Sequence, residues 1–208
     1  HFSEKIEKKS LVFISQFKTG RIFPKNEKII LRLLKRYCSN KNLKLYVCTK
    51  IPRSDDRGIE AFSKILGKNG WNYCPRDNGR SSYERVFKSE FVVFADSTLG
   101  YEALSRKKKT AALPFGCKIP DWCKKNTAHQ IISFGFPLNF SDVGPFWSNI
   151  YKKKVISKIL DYITEISDAE WYTTLKNHQL DKLMQFDQGN QKLLNLFKKL
   201  KLPLKKNI

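Results

Sequence analysis

An α/β fold, with a doubly wound parallel sheet and an additional C-terminal helical segment, is predicted by three features of the sequence. Short, continuous apolar runs such as Phe91-Val92-Val93-Phe94 read as strands buried on both faces. Stretches with apolar residues at helical spacing alternate with them, which is the pattern of parallel strands joined by crossover helices. The loops that carry chemistry all follow strand ends, where open α/β sheets bind ligands.

Taken in order, residues 11–17 form a first strand, Leu-Val-Phe-Ile-Ser-Gln-Phe, followed by a polar loop holding Lys18, Gly20, Arg21 and Pro24. Ile29, Ile30, Leu33, Leu34 and Tyr37 recur at the spacing of one helix face. Residues 43–49 make a second strand that ends at Lys50-Ile51-Pro52-Arg53. The next helix sets Ile59, Phe62, Ile65 and Leu66 on one side, with Gly67 near its end. Residues 71–75 form a short or edge strand, 76–82 a polar loop and 83–88 a short helix.

The run 90–106 is the stretch around which the remainder is organised. Its strand passes almost directly into Asp96-Ser97-Thr98, three residues that favour helix starts. Amides and the positive dipole end at such a start attract anions, and Ser97 and Thr98 add hydroxyls without negative charge. Glu102 lies one turn later on the same face as Thr98. Two readings stand side by side: Glu102 takes ribose hydroxyls, or it pairs with Arg106; Asp96 belongs to the site, or it is only a cap.

A further strand spans 109–113, and 114–149 is irregular and rich in Pro, Gly and aromatics, a length that is functional more often than idle. A helix then covers 153–166, and Ser167-Asp168-Ala169-Glu170 restarts helix after a cap. The tail, 180–202, is amphipathic, with Leu183, Phe186, Leu193, Leu194, Phe197 and Leu200 as anchors. The domain expectation is therefore a sheet domain over 1–167 and a helical segment over 168–208 that packs on it or on a neighbouring domain.

Composition narrows the function classes. Forty Lys and Arg against 19 Asp and Glu give a net charge of +21, which favours anionic partners: polyanions, anionic membrane or phosphorylated small molecules. The excess gathers at the rims of apolar segments, as in Lys107-Lys108-Lys109 and Lys152-Lys153-Lys154, unlike a nucleic-acid groove. Aromatics make up 13% of the chain and lie mostly inside apolar runs, which leaves few for stacking on bases; nucleic acid is thus a disfavoured partner. The five cysteines follow no secreted framework, so a cytoplasmic location is expected. Cys117, Cys123 and His129 match no zinc spacing, and Asp55-Asp56 is adjacent rather than spaced as Asp-x-Asp, so neither a metal nor a cofactor is expected. The start at His1 reads as a processed product or a piece of something larger.

The residues Phe94-Ala95-Asp96-Ser97-Thr98-Leu99-Gly100-Tyr101-Glu102-Ala103, then Lys109-Thr110-Ala111-Ala112 and later Gly144-Pro145-Phe146-Trp147-Ser148-Asn149, carry a resemblance. Over roughly residues 11–171 the chain resembles the carboxy-terminal half of a family of bacterial surface-carbohydrate proteins, associated with O-antigen and lipopolysaccharide assembly. That family is similar to glycosyltransferases of the GT-B type and, distantly, to Kdo and sialic-acid transferases that use CMP-sugars. The resemblance implies a Rossmann-like domain holding a nucleotide-sugar donor, CMP-linked by preference. It puts the donor phosphate on Ser97, Thr98 and Gly100 and the ribose near Glu102. Cations for the phosphate come from strand-end loops, Arg53 first and then Lys18 and Arg21. An N-terminal GT-B domain would carry the acceptor site for a glycan or lipid-linked sugar, and it is expected as a partner that lies outside this sequence. No catalytic base follows from the motifs. His129 and Asp142 in the long loop are the candidates, each readable equally as a surface or core residue. Two rival functions are a nucleic-acid-binding module and a non-catalytic nucleotide-binding domain. The basic tail adds the expectation of peripheral contact with an anionic inner membrane face.

Overall fold

The computed structural model describes residues 5–95, 97–114, 141–180, 184 and 186–201. Four apolar runs and one short basic-to-apolar segment become five parallel strands: β1 (Glu7–Ile14), β2 (Lys44–Pro52), β3 (Asn72–Arg76), β4 (Ser89–Phe94) and β5 (Lys109–Ala112). They lie in the order β3-β2-β1-β4-β5. The chain steps outward from β1 to β3 through α1 (Lys25–Lys41) and α2 (Arg57–Leu66). It then returns across the sheet through α3 (Ser81–Lys88) and steps on to β5 through α4 (Thr98–Ser105). Right-handed crossovers in opposite directions put α1 and α2 on one face and α3 and α4 on the other, so the sheet is doubly wound, as predicted.

Strand registers explain the continuous apolar runs. Leu11 to Ile14 pair with Leu45 to Cys48 on one side and with Phe91 to Phe94 on the other, so the centre of the sheet has no solvent-facing side. Leu11, Val12, Phe13, Val92 and Val93 have no exposed surface. The first strand ends at Ile14 rather than Phe17, and the reason is local. Ser15 Oγ and the Gln16 amide both donate to the buried Glu27 carboxylate at the start of α1, which draws the chain off the strand path. The second strand instead runs three residues past Thr49, with a register shift against β3 between Cys48 and Pro52.

After β5 the described chain resumes at residue 141, and the Gly144-Pro145-Phe146-Trp147-Ser148 string closes the β5 edge. Ala112 N donates to Phe146 O at 2.9 Å and Ser148 N to Ala112 O at 3.0 Å. Phe146 and Trp147 are buried, and a Cβ at Gly144 would lie 2.2 Å from the Trp147 ring. The motif is therefore used for packing. Helix α5 (Lys153–Glu165) lies beside α1, where Tyr37 Oη donates to Asp161 Oδ1 at 3.0 Å. Helix α6 (Asp168–Asn177) opens on a capping box in which Ser167 and Glu170 bond reciprocally. It sends Trp171 into the same core as the sheet, its indole N–H donating to Lys107 O at 2.9 Å. Helix α7 (Gln191–Lys199) buries no residue. Among the tail anchors, Leu193 and Leu200 are exposed, Phe186 stacks on the Arg106 guanidinium, and Leu183 lies outside the described residues.

Candidate functional site

Strands β1 and β4 are neighbours whose following helices go to opposite faces, which opens a crevice at their C-terminal ends. The crevice holds about 200 Å³. Its walls come from the strand ends around the switch point: Ile14 closing β1 and Ser15 after it, Cys48 to Lys50 in β2, and Arg76 closing β3 with Asn78 and Gly79 after it. Ser82 and Tyr83 from the first turn of α3, and Ser97, Thr98 and Leu99 at the start of α4, complete it.

Two helix N-termini thus face one small space, and each concentrates partial positive charge there. Ser97 sits at the N-cap of α4 with extended backbone, and its side chain makes no cap hydrogen bond to the helix. Its carbonyl takes the Gly100 amide at 3.0 Å. Gly100 itself works in packing. A Cβ there would fall 2.2 Å from Phe94 Cγ, so only glycine lets α4 approach β4 this closely. The β3–α3 loop is rigidified by its own polar groups: Arg80 N donates to Asn78 Oδ1 at 2.7 Å, and Asp77 N to Ser81 Oγ at 3.1 Å.

The expected site residues divide clearly by position. Ser97 and Thr98 line the crevice. Glu102 lies behind that wall and accepts a hydrogen bond from Tyr83 Oη at 3.2 Å, a contact that ties α4 to α3. Arg106 stacks between Phe87 and Phe186, so of the two readings of Glu102 the Arg106 pair is not formed. Arg53 is turned outward into a bidentate pair with Asp77, both bonds 2.7 Å. Lys18 closes an exposed turn through its carbonyl, which accepts from Arg21 N at 3.3 Å. The Arg21 side chain lines a separate groove between α1 and α2. Asp142 is exposed, and its carbonyl accepts from Asn149 N at 2.8 Å. Asp96, Cys117, Cys123 and His129 lie outside the described residues.

The cations that do face the crevice are Lys50 and Arg76, and sequence reasoning ranked neither. Among the described residues neither is in an ion pair, and no carboxylate or imidazole lines the space with them. The signal was present, since the strands read from sequence, 43–49 and 71–75, put Lys50 and Arg76 directly after them. What hid it was the end of β2: once that strand continues to Pro52, Arg53 is carried out to Asp77 and Lys50 takes the inner position.

The other described lining residues are neutral. Cys48 pairs in register with Cys74 of β3 and donates to its sulfur, which together with burial pushes the Cys48 thiol well above its ordinary range. The same bond lowers Cys74. Behind the floor, Ser15 Oγ takes the Phe17 amide at 3.1 Å while donating to Glu27, so the turn after β1 is held from both ends. The arrangement suits a small anion with polar attachments: amide dipoles, hydroxyls and two cations, with no carboxylate among the described lining residues.

No curated protein matches the chain. A family model described as "putative O-antigen biosynthesis protein" matches residues 1–201, nearly the full length, and the chain belongs to that family.

Proposed function

We propose that the crevice at the β1/β4 switch point holds the phosphate of a nucleotide-sugar donor, as part of a glycosyltransferase of surface-polysaccharide biosynthesis. The observation that carries this reading is the convergence of the α3 and α4 N-termini, Ser97, Thr98, Lys50 and Arg76 on a space lined by no acidic side chain among the described residues. Membership of an O-antigen biosynthesis family supports the biological setting, and the resemblance to CMP-sugar transferases favours a CMP-linked donor.

Sugar transfer leaves negative charge on the departing phosphate, and preorganised donors aimed at that charge lower the barrier. Here Lys50 and Arg76 supply countercharge while the Ser97 and Thr98 hydroxyls and the α4 amides fix the position of the phosphate. Glu102, bonded to Tyr83 behind the wall, can meet the ribose attached to that phosphate only if Tyr83 releases it. The lining described here offers no group to take a proton from an acceptor. That function falls to residues beyond the described lining, such as a facing domain that carries the glycan or lipid-linked acceptor.

Calorimetric titration with CMP and UDP tests the reading. Saturable binding of one nucleotide is expected, weakened at least about tenfold in a Ser97→Ala, Thr98→Ala double variant with unchanged melting temperature, as lost hydrogen bonds to a charged group imply. Absence of nucleotide binding, or binding indifferent to both substitutions, would refute it. The lack of a carboxylate or imidazole among the described lining residues favours a second reading, a non-catalytic nucleotide-binding domain. Release of free sugar or glycosylated acceptor from a bound CMP-sugar separates the two.

A further inference from the structure

A second concave region lies between α1 and α2, on the face of the sheet away from α3 and α4. It holds about 460 Å³, and its floor is Phe17 stacked on Phe23 at 4.2 Å between ring centres. Around this apolar floor stand Arg21 from the β1–α1 loop, Lys28 and Arg32 from α1, and Lys64 from α2. A fifth cation, Arg57, is already held by Asp55 at 2.8 Å. Among the described residues Glu60 is the only carboxylate of the lining, and Arg21, Arg32 and Lys64 form no ion pair. Like charges gathered on one groove repel one another unless an anion joins them.

Beside Arg21 the chain exposes an apolar residue without cover: Ile22 is 94% accessible, although its neighbour Phe23 is buried. An isoleucine held into solvent at the tip of a loop, flanked by Lys18, Arg21 and Lys25, has the composition of an interfacial anchor. Arginines suit lipid phosphates because the guanidinium fork meets two oxygens at once.

We propose that this groove and the Ile22 tip dock the chain on an anionic lipid surface. Arg21, Arg32 and Lys64 take the lipid phosphates, and Ile22 enters the boundary between headgroups and acyl chains. The β1–α1 loop leaves the same end of the sheet as the crevice, so docking turns that end toward the bilayer. This rests on surface geometry and not on the nucleotide reading. Its rival within the chain is α7 with the residues that follow it, where Leu193, Leu196 and Leu200 are exposed next to Lys198, Lys199 and Lys201.

Co-sedimentation of the full chain with vesicles of phosphatidylcholine, with and without phosphatidylglycerol, provides the test. Preference for the anionic vesicles is expected, and an Arg21→Glu, Arg32→Glu, Lys64→Glu variant of unchanged melting temperature is expected to bind more than about tenfold more weakly. Ile22→Asn should weaken binding several-fold at constant net charge. A Lys198→Glu, Lys199→Glu, Lys201→Glu variant changes total charge equally and should bind nearly as well as the unmodified chain. The proposal is overturned by equal binding to both vesicle types, by an unaffected groove variant, or by an equal loss in the tail variant. Binding of inorganic pyrophosphate or a short DNA oligonucleotide through the same residues, without a vesicle response, assigns the groove to a dissolved anion and also overturns it.

Discussion

Gly100 rests on the ring of Phe94 so closely that a Cβ at Gly100 would stand 2.2 Å from Cγ of the ring. Both residues belong to the strand-to-helix passage on which the crevice depends, and Phe94 is buried, so the ring has no free path away. Gly100→Ala should therefore cost about 1–3 kcal/mol, the range for overpacking a filled core, despite the better helix propensity of alanine. Urea denaturation checks this. Unchanged or increased stability would show that α4 can lift from β4 at no cost.

Arg53 and Lys50 are three residues apart and face different tasks. Because the Arg53–Asp77 pair is exposed, its removal should change stability by less than about 1 kcal/mol. Arg53→Ala should likewise leave nucleotide affinity within about twofold, whereas Lys50→Ala and Arg76→Ala should each lower it about fivefold or more, as loss of a charge-assisted contact does. Titration of the three variants with one nucleotide compares them directly. A larger loss from Arg53→Ala than from Lys50→Ala would move the phosphate toward the β3–α3 loop.

At the N-terminal end of the sheet Glu7 accepts from Lys44 Nζ at 3.1 Å and Tyr46 Oη at 2.9 Å, with Arg85 Nη2 2.9 Å from its other oxygen. Burial alone would raise its pKa, but these partners outweigh it and hold the carboxyl down at about 2, against an ordinary 4.5. A carboxylate lowered on folding stabilises the native state above its unfolded pKa, and that contribution fades as pH falls from 4.5 toward 2. Glu7→Gln should accordingly flatten the fall in stability across that window. Parallel acid-denaturation curves for the two proteins would show that Glu7 is not the group involved.

The fold was legible where one short segment determines one outcome. Phe91 to Phe94 are apolar on both faces because β4 lies between β1 and β5, and Ser167 with Glu170 encodes its cap within four residues. Legibility failed where a side chain reaches across the chain. Nothing near Ser15 announces that Glu27 will end its strand, and nothing near Arg53 announces Asp77. The candidate site shows the same division. Ser97 and Thr98 were visible as a helix start after a strand, while Lys50 and Arg76 depended on how far β2 runs and on which cations had already found carboxylates. The +21 charge points to the basic tail, yet Arg21, Arg32 and Lys64, in no ion pair among the described residues, gather around an aromatic floor between α1 and α2, assembled from segments some forty residues apart.

The closure of the β5 edge by Phe146 and Ser148 bears on how this chain can join anything larger. At the opposite border β3 offers only five residues, and Pro75 among them has no N–H to give. A sheet blunted on both flanks is a poor template for strand addition. Growth into a two-domain enzyme or a complex must therefore proceed through its helical faces or across the loops at the strand ends, leaving hydrogen-bonded extension of the sheet aside.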